Sequence, residues 1–287
     1  MKKFFKDLWK NRAWLLMVLP GTIWLLVFSY LPMFGTVLAF KNFEFLFTSG
    51  DAWRITRNTV LYNLVFIVLG LIFAVFVAIV LNEIANKKLA KVYQTSMLFP
   101  HFLSWVIVSY FVFSFLSADK GMMNSILGSF GMEPVQWYSE PENWPGILVF
   151  MNVWKGVGYG SIVYLAAIVG IDKTYYEAAT IDGASKWQQI KNITIPLIVP
   201  LMIILTIMAI GGIFRSDFGL FYQVPRNSAI LYPVTDVIDT YIYKGLMNMG
   251  NIGMSTAAGL YQAVVGFILI LSTNYAVKKI DPEYGLF

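Results

Sequence analysis

Glu177-Ala178-Ala179-Thr180-Ile181-Asp182-Gly183-Ala184, closed by Ile193-Thr194-Ile195-Pro196-Leu197-Ile198-Val199-Pro200, is a polar, glycine-broken stretch between two long apolar runs. It reads as helix, break, helix. Thr174 ahead of Glu177 fits a capping box, in which the hydroxyl accepts from the Glu177 amide and the Glu side chain reaches back. Asp182-Gly183 supplies a turn where φ can become positive. Ser185 with Gln188 offers a second box, and Pro196 costs little near a helix start, where the first-turn amide has no intrahelical acceptor. A well-capped hairpin would explain Glu177 alone. It would not explain Ala178, Ala179, Gly183 and Ala184 together, because such small residues let another backbone approach closely.

Working outward, the flanking runs are too long and too many for a soluble core. Of 287 residues, 58% are apolar and only 13% charged, about half the charge of a soluble domain. Apolar runs of about 20 residues cross the roughly 30 Å hydrocarbon layer as helices. Spans are expected near 13–34, 60–81, 96–116, 146–171, 195–214 and 254–277. The first is too long for a signal-peptide core and lacks a small-residue cleavage site, so it reads as retained. Of the 21 Lys and Arg residues, thirteen fall on the side holding both termini and the 82–95 and 172–194 loops. By the positive-inside rule that side, with Glu177, is cytoplasmic.

The remaining loops face outward. The 117–145 loop, with Asp119, Glu133, Glu140, Glu142, Pro134 and Pro141, reads as an ordered excursion. Residues 235–243 suit a short amphipathic helix lying at the outer surface. The chain divides into 1–59, comprising the N-terminus, first span and first external loop, and a membrane core over 60–287.

The fourth run carries Asn152, Lys155, Gly156 and Tyr159 at i, i+3, i+4 and i+7, hence on one helical face. A charge at the depth of Lys155 costs about 2.5–3.5 kcal/mol on insertion scales, so it needs a wet cavity or a partner, unless it snorkels outward. Asn152 can bond a neighbouring helix or a ligand. Gly156 and Gly160 suit close helix contacts, and Trp154 flanks the stripe. Amide and phenol groups beside aromatic faces suit a glycan.

The order E-A-A, D-G-A and I-x-x-P over residues 177–196 resembles the coupling loop of binding-protein-dependent ABC importer permeases. The resemblance implies an all-α, type I importer permease fold in a bacterial inner membrane, with about six transmembrane helices. Residues 174–182 would form the coupling helix, and Glu177, Ala178, Ala179, Asp182, Gly183 and Ala184 would dock on an ATPase. Partners would be a second permease subunit, two cytoplasmic ATPase subunits binding ATP and Mg, and an extracytoplasmic solute-binding protein. Counted back from the E-A-A start, Asn152, Gly156 and Tyr159 fall on sugar-contact positions of the maltose-type subunit, and Trp154 matches its motif. Lys155 departs from an aliphatic residue there. Ser216 replaces an amide, and Ala209 and Ile213 lose polar groups, so maltose itself is not the expected substrate. Lys155 and Arg215 would favour an acidic sugar, unless Asp217 neutralises Arg215.

Other chemistries lack their residues. There is no cysteine and one histidine, His101, so neither a thiolate site nor an H-E-x-x-H zinc site can form. His101 reads as an interhelical packing residue. No G-x-x-x-x-G-K-[ST] loop occurs, so no cofactor is expected in this chain. The +5 net charge sits beside the spans, which suits lipid rather than nucleic acid. A secondary carrier would need acidic residues within the spans and internal symmetry. Within importers, a permease for another solute is the alternative.

Overall fold

The computed structural model describes residues 11–30, 33, 36–48 and 50–280, and every regular element among them is helical. Helix α1 (Arg12–Tyr30) ends in a wider π turn and buries no residue. Helix α2 (Thr36–Thr48) occupies the expected first external loop. The chain turns at Gly50, φ +73°, into the long span α3 (Asp51–Glu83).

The expected straight span at 96–116 is corrected. Helix α4 (Lys87–Phe102) and α5 (Trp105–Leu116) meet at a 98° bend. The cause is local. Pro100 cannot donate, Leu103 and Ser104 take extended dihedrals, and the Ser104 hydroxyl caps α5 by accepting from the Val106 amide. Capping residues compete with helix continuation in this way. The described chain therefore holds five uninterrupted spanning helices plus one bent pair.

Helix α6 (Met122–Ser129) and two short 3₁₀ turns form the ordered excursion over 117–145. Asn124 pins it, donating to the Ala118 and Val135 carbonyls while its own oxygen accepts from the Trp137 indole. Span α7 (Trp144–Val169) starts with Pro145 in its first turn, where no amide is needed. Helix α8 (Lys173–Ile181) follows, then the span α9 (Lys186–Gly211). Pro196 does not start this span. It lies inside it, after a π turn over Ile190–Thr194, and wider turns of this kind recur where a helix absorbs a local irregularity. Short helices α10 (Phe218–Gln223), α11 (Tyr232–Thr235) and α12 (Ile238–Met247) precede the last span α13 (Ile252–Ile280).

Helix α12 also departs from expectation. It is not a surface helix, for Ile238, Thr240, Tyr241, Lys244 and Gly245 are buried. Lys244 Nζ lies 2.8 Å from Asp236, whose second oxygen is 3.6 Å from Arg54 at the start of α3. Burial pushes the Lys244 ammonium below the usual lysine value, against the pull of Asp236. Asn58 donates to the Pro233 and Asp236 carbonyls, and Thr59 Oγ1 accepts from the Ile238 amide. The polar positions of α12 thus point inward onto α3, because that helix supplies their partners.

Three buried clusters hold the body together. One packs α3, α5 and α7 with the 220–237 segment around Trp144 and Leu148. A second packs α2, α3, α12 and α13 around Leu46 and Ile55. The third packs the ends of α3, α7 and α9 nearest the 172–185 segment around Ala78, Tyr164 and Ile198. Gly158 is needed for closeness: a Cβ there would overlap the Met97 carbonyl, so α7 touches α4 backbone to backbone, as small residues permit between membrane helices.

Candidate functional site

The knuckle between α7 and α9 is a capped, latched unit. The expected cap at Thr174 is corrected to Asp172, whose carboxylate accepts from the Thr174 amide at 3.0 Å. Asp172 has extended dihedrals, which an N-cap requires. These hydrogen bonds from Thr174 hold its carboxyl below the usual range. The helix runs one residue earlier than the expected 174–182. Glu177 is therefore freed: its exposed carboxylate has no hydrogen-bond or ion-pair partner among the described residues.

At the other end Gly183 takes φ +77°. The Ala184 amide donates to the Ala179 carbonyl at 2.8 Å and the Gly183 amide to the Thr180 carbonyl at 3.1 Å. This 6→1 and 5→2 pair is a Schellman stop, with glycine at the left-handed position. The Ser185–Gln188 box forms as expected. Two side-chain bonds then latch α8 to α9: Tyr176 to Thr194 at 2.8 Å, and the Gln189 amide to the Thr180 hydroxyl at 2.9 Å. The latched unit still presents apolar bulk, with Tyr175 57%, Trp187 68% and Ile181 86% exposed. Asp182 and Ala178 are exposed beside them.

Both helices leaving this knuckle wall one cavity. A space of about 480 Å³ is lined by Asn152, Gly156 and Tyr159 of α7, Leu205, Thr206 and Ala209 of α9, and Asn63, Phe66 and Gly70 of α3. Three of the stripe residues therefore meet as expected. Ala209, flagged only as an apolar replacement, lies on the facing wall. Trp154 does not join them; it borders a separate apolar space of about 580 Å³ with Phe111, Phe115 and Phe150.

Lys155 departs further from the expected stripe. Its ammonium donates to the His101 carbonyl at 2.8 Å and lies 5.2 Å from the Trp105 ring centroid. That carbonyl belongs to the last turn of α4, where helix acceptors lose their donors. Lys155 thus caps the broken span. His101 stacks on Tyr159, 4.4 Å between centroids and 8° from parallel, which fits the packing role expected of it and also sets the angle of a cavity-wall phenol.

The chain after α9 meets the cavity through Asn63. Asn63 Nδ2 donates to the Thr59, Ile213 and Arg215 carbonyls and lies 3.3 Å from Ser216 Oγ. The Ser216 amide donates to Asp239 at 2.7 Å, and Gln262 bridges Asp239 to the Phe214 carbonyl. Asp217 does not neutralise Arg215. Its oxygens cap α10 through Gly219 and Leu220 and accept from the Trp105 indole at 2.6 Å. Arg215 is exposed, with no ion pair among the described residues, and borders a third space of about 560 Å³ with Gln262 and Gly266. Asn63, Trp105, Asp239 and Gln262 were missed from the sequence. Asn63 and Gln262, each an amide inside an apolar run, were detectable signals; Trp105 and Asp239 became partners only through contacts with distant segments.

With the geometry in place, comparison with known proteins is specific. Residues 66–282 match the family described as "Binding-protein-dependent transport system inner membrane component". Protein LplB of Bacillus subtilis (strain 168) is 33% identical over 296 residues, 97% of this chain and 92% of that protein. The polygalacturonan/rhamnogalacturonan transport system permease protein YteP of the same strain is 32% identical over 299 residues, 98% of this chain and 92% of that protein. Among solved structures, a chain of a bacterial ABC transporter involved in the import of the acidic polysaccharide alginate superposes with a TM-score of 0.87 at 35% identity. The match covers 97% of this chain and 99% of that one. A chain of the alginate transporter in complex with its alginate pentasaccharide-bound periplasmic protein gives 0.86 at 35%, over 96% and 97%.

Proposed function

From the premise that this chain belongs to the family of binding-protein-dependent transport system inner membrane components, we propose that it is the substrate-contacting transmembrane subunit of an ATP-driven carbohydrate importer. One observation carries the reading. The exposed, doubly latched knuckle at 173–189 is continuous with the two helices, α7 and α9, that wall the cavity of Asn152, Tyr159 and Ala209. A force applied at the knuckle moves both walls together.

One of two cytoplasmic ATPase subunits would grip Tyr175, Ile181 and Trp187, with the unpaired Glu177 carboxylate in the contact. ATP and Mg would be bound there and not in this chain. Both termini would be cytoplasmic, in keeping with the distribution of Lys and Arg. A second permease subunit would close the open side of the cavity, and an extracytoplasmic binding protein would deliver the sugar. ATP would drive alternation through its different affinity for the outward and inward states.

The substrate we propose is an acidic oligosaccharide built of uronate units. Support comes from Arg215, which is exposed and without an ion pair among the described residues in the segment that Asn63 joins to the cavity, and from relatives whose names give polygalacturonan and alginate as their cargo. The test is uptake in proteoliposomes holding the purified permease pair and its ATPases, with loaded binding protein and a panel of acidic and neutral oligosaccharides. ATP-dependent uptake of uronate oligomers is expected. Uptake confined to neutral sugars overturns the acidic reading, and uptake of none overturns the carbohydrate reading.

A further inference from the structure

Outside Ser216 the chain places three aromatic rings together. Phe218 stacks on Tyr222, with centroids 4.9 Å apart and planes 17° from parallel. Tyr243 of α12 closes the group at 4.7 Å from Phe218 and 5.0 Å from Tyr222. All three are half-buried, and neither phenol hydroxyl has a hydrogen-bond partner among the described residues. Burial lifts the Tyr222 hydroxyl above its usual range, with Tyr243 adding to the effect.

The position of the rings ties them to the cavity. Asn63 lines the cavity and also touches Ser216, two residues before Phe218. Asp239, which accepts from the Ser216 amide, lies one helical turn before Tyr243, so both occupy one face of α12. That face turns toward the chain leaving α9. The rings are therefore joined to the cavity wall through Asn63, Ser216 and Asp239.

We propose that Phe218, Tyr222 and Tyr243 form a stacking subsite for one ring of the incoming saccharide, ahead of the cavity site. A sugar ring has an apolar C–H face and a polar hydroxyl edge. An aromatic group with free phenols matches both, as amphipathic rings do wherever one side must be apolar and the other wet. It is the second of two subsites, so it acts on saccharides long enough to reach both. The proposal rests on the carbohydrate reading above.

The test uses the complete reconstituted complex with uronate di- and tetrasaccharides and a neutral maltooligosaccharide beside them. Tyr222→Ala with Tyr243→Ala is expected to raise KM for the tetrasaccharide about three- to tenfold, the size of one aromatic contact, with kcat and the disaccharide KM nearly unchanged. Tyr222→Phe with Tyr243→Phe should retain most of the wild-type KM. An unchanged tetrasaccharide KM in an assembled double-alanine variant overturns the subsite. So does a loss of affinity for the binding protein or the second permease that is independent of saccharide, since it would make the rings a protein contact. Failure of the wild type to import any saccharide is a different result and overturns the functional reading instead.

Discussion

Lys155 and Arg215 show how two cations in one chain acquire opposite roles. The Lys155 ammonium spends its charge on the His101 carbonyl, 2.8 Å away, at the end of a helix that has lost its own donors. Hydrogen bonds involving a charged group contribute about 1.5–3 kcal/mol. Lys155→Met should therefore lower the thermal stability of the purified complex by about that amount, measured by unfolding in detergent, and leave the preference between charged and neutral oligosaccharides as it was. Arg215 has no such partner. Arg215→Gln should leave stability nearly unchanged and raise KM for a uronate oligomer several-fold while sparing a neutral one, as read by uptake kinetics. A selectivity change in the lysine variant, without one in the arginine variant, would reverse the assignment.

Single helices show the same division between shape and chemistry. On α7, Gly158 and Gly156 are two residues apart and face different surroundings. A Cβ at Gly158 would overlap the Met97 carbonyl, while one at Gly156 meets nothing within 4 Å. Gly158→Ala should force α7 from α4 and cost about 1–3 kcal/mol, the usual range for overpacking. Gly156→Ala should fold normally and reduce transport by narrowing the cavity. Thermal unfolding together with uptake separates the two. At the knuckle, Gly183 holds φ +77° in open space, so Gly183→Val is strained by backbone conformation rather than by crowding, at about 1–2 kcal/mol. The expected outcome is a complex that assembles poorly or hydrolyses ATP without import. Normal ATP-dependent uptake in this variant would remove the stiff-knuckle argument.

Across the whole molecule, buried polar contacts add to the apolar clusters in joining the 232–247 segment to the spans. Asp236 and Lys244 are 2% and 8% exposed, and together with Arg54, Asn58 and Thr59 they bind the 232–247 segment to α3. Removing one member strands the other as a buried charge. Asp236→Asn should cost about 3–5 kcal/mol, whereas Asp236→Asn combined with Lys244→Met should recover much of it. A double-mutant cycle of thermal unfolding measures the difference. Since the same segment carries Asp239 and Tyr243, the single variant should also impair uptake.

Features that repeat along one dimension were legible before folding. Apolar run length set the number of crossings to within one broken helix, and the spacing of Asn152, Gly156 and Tyr159 put them on one cavity wall. The small residues and Gly183 marked the knuckle, because a left-handed turn has a residue signature. Tertiary structure alone decided which polar groups found each other. The bend between α4 and α5 gave Lys155 a carbonyl to cap, α10 and Trp105 drew Asp217 away from Arg215, and α3 pulled the polar face of α12 inward. Those outcomes depend on pairings between residues far apart in the chain, and a desolvated polar group takes whichever partner the packing brings within reach.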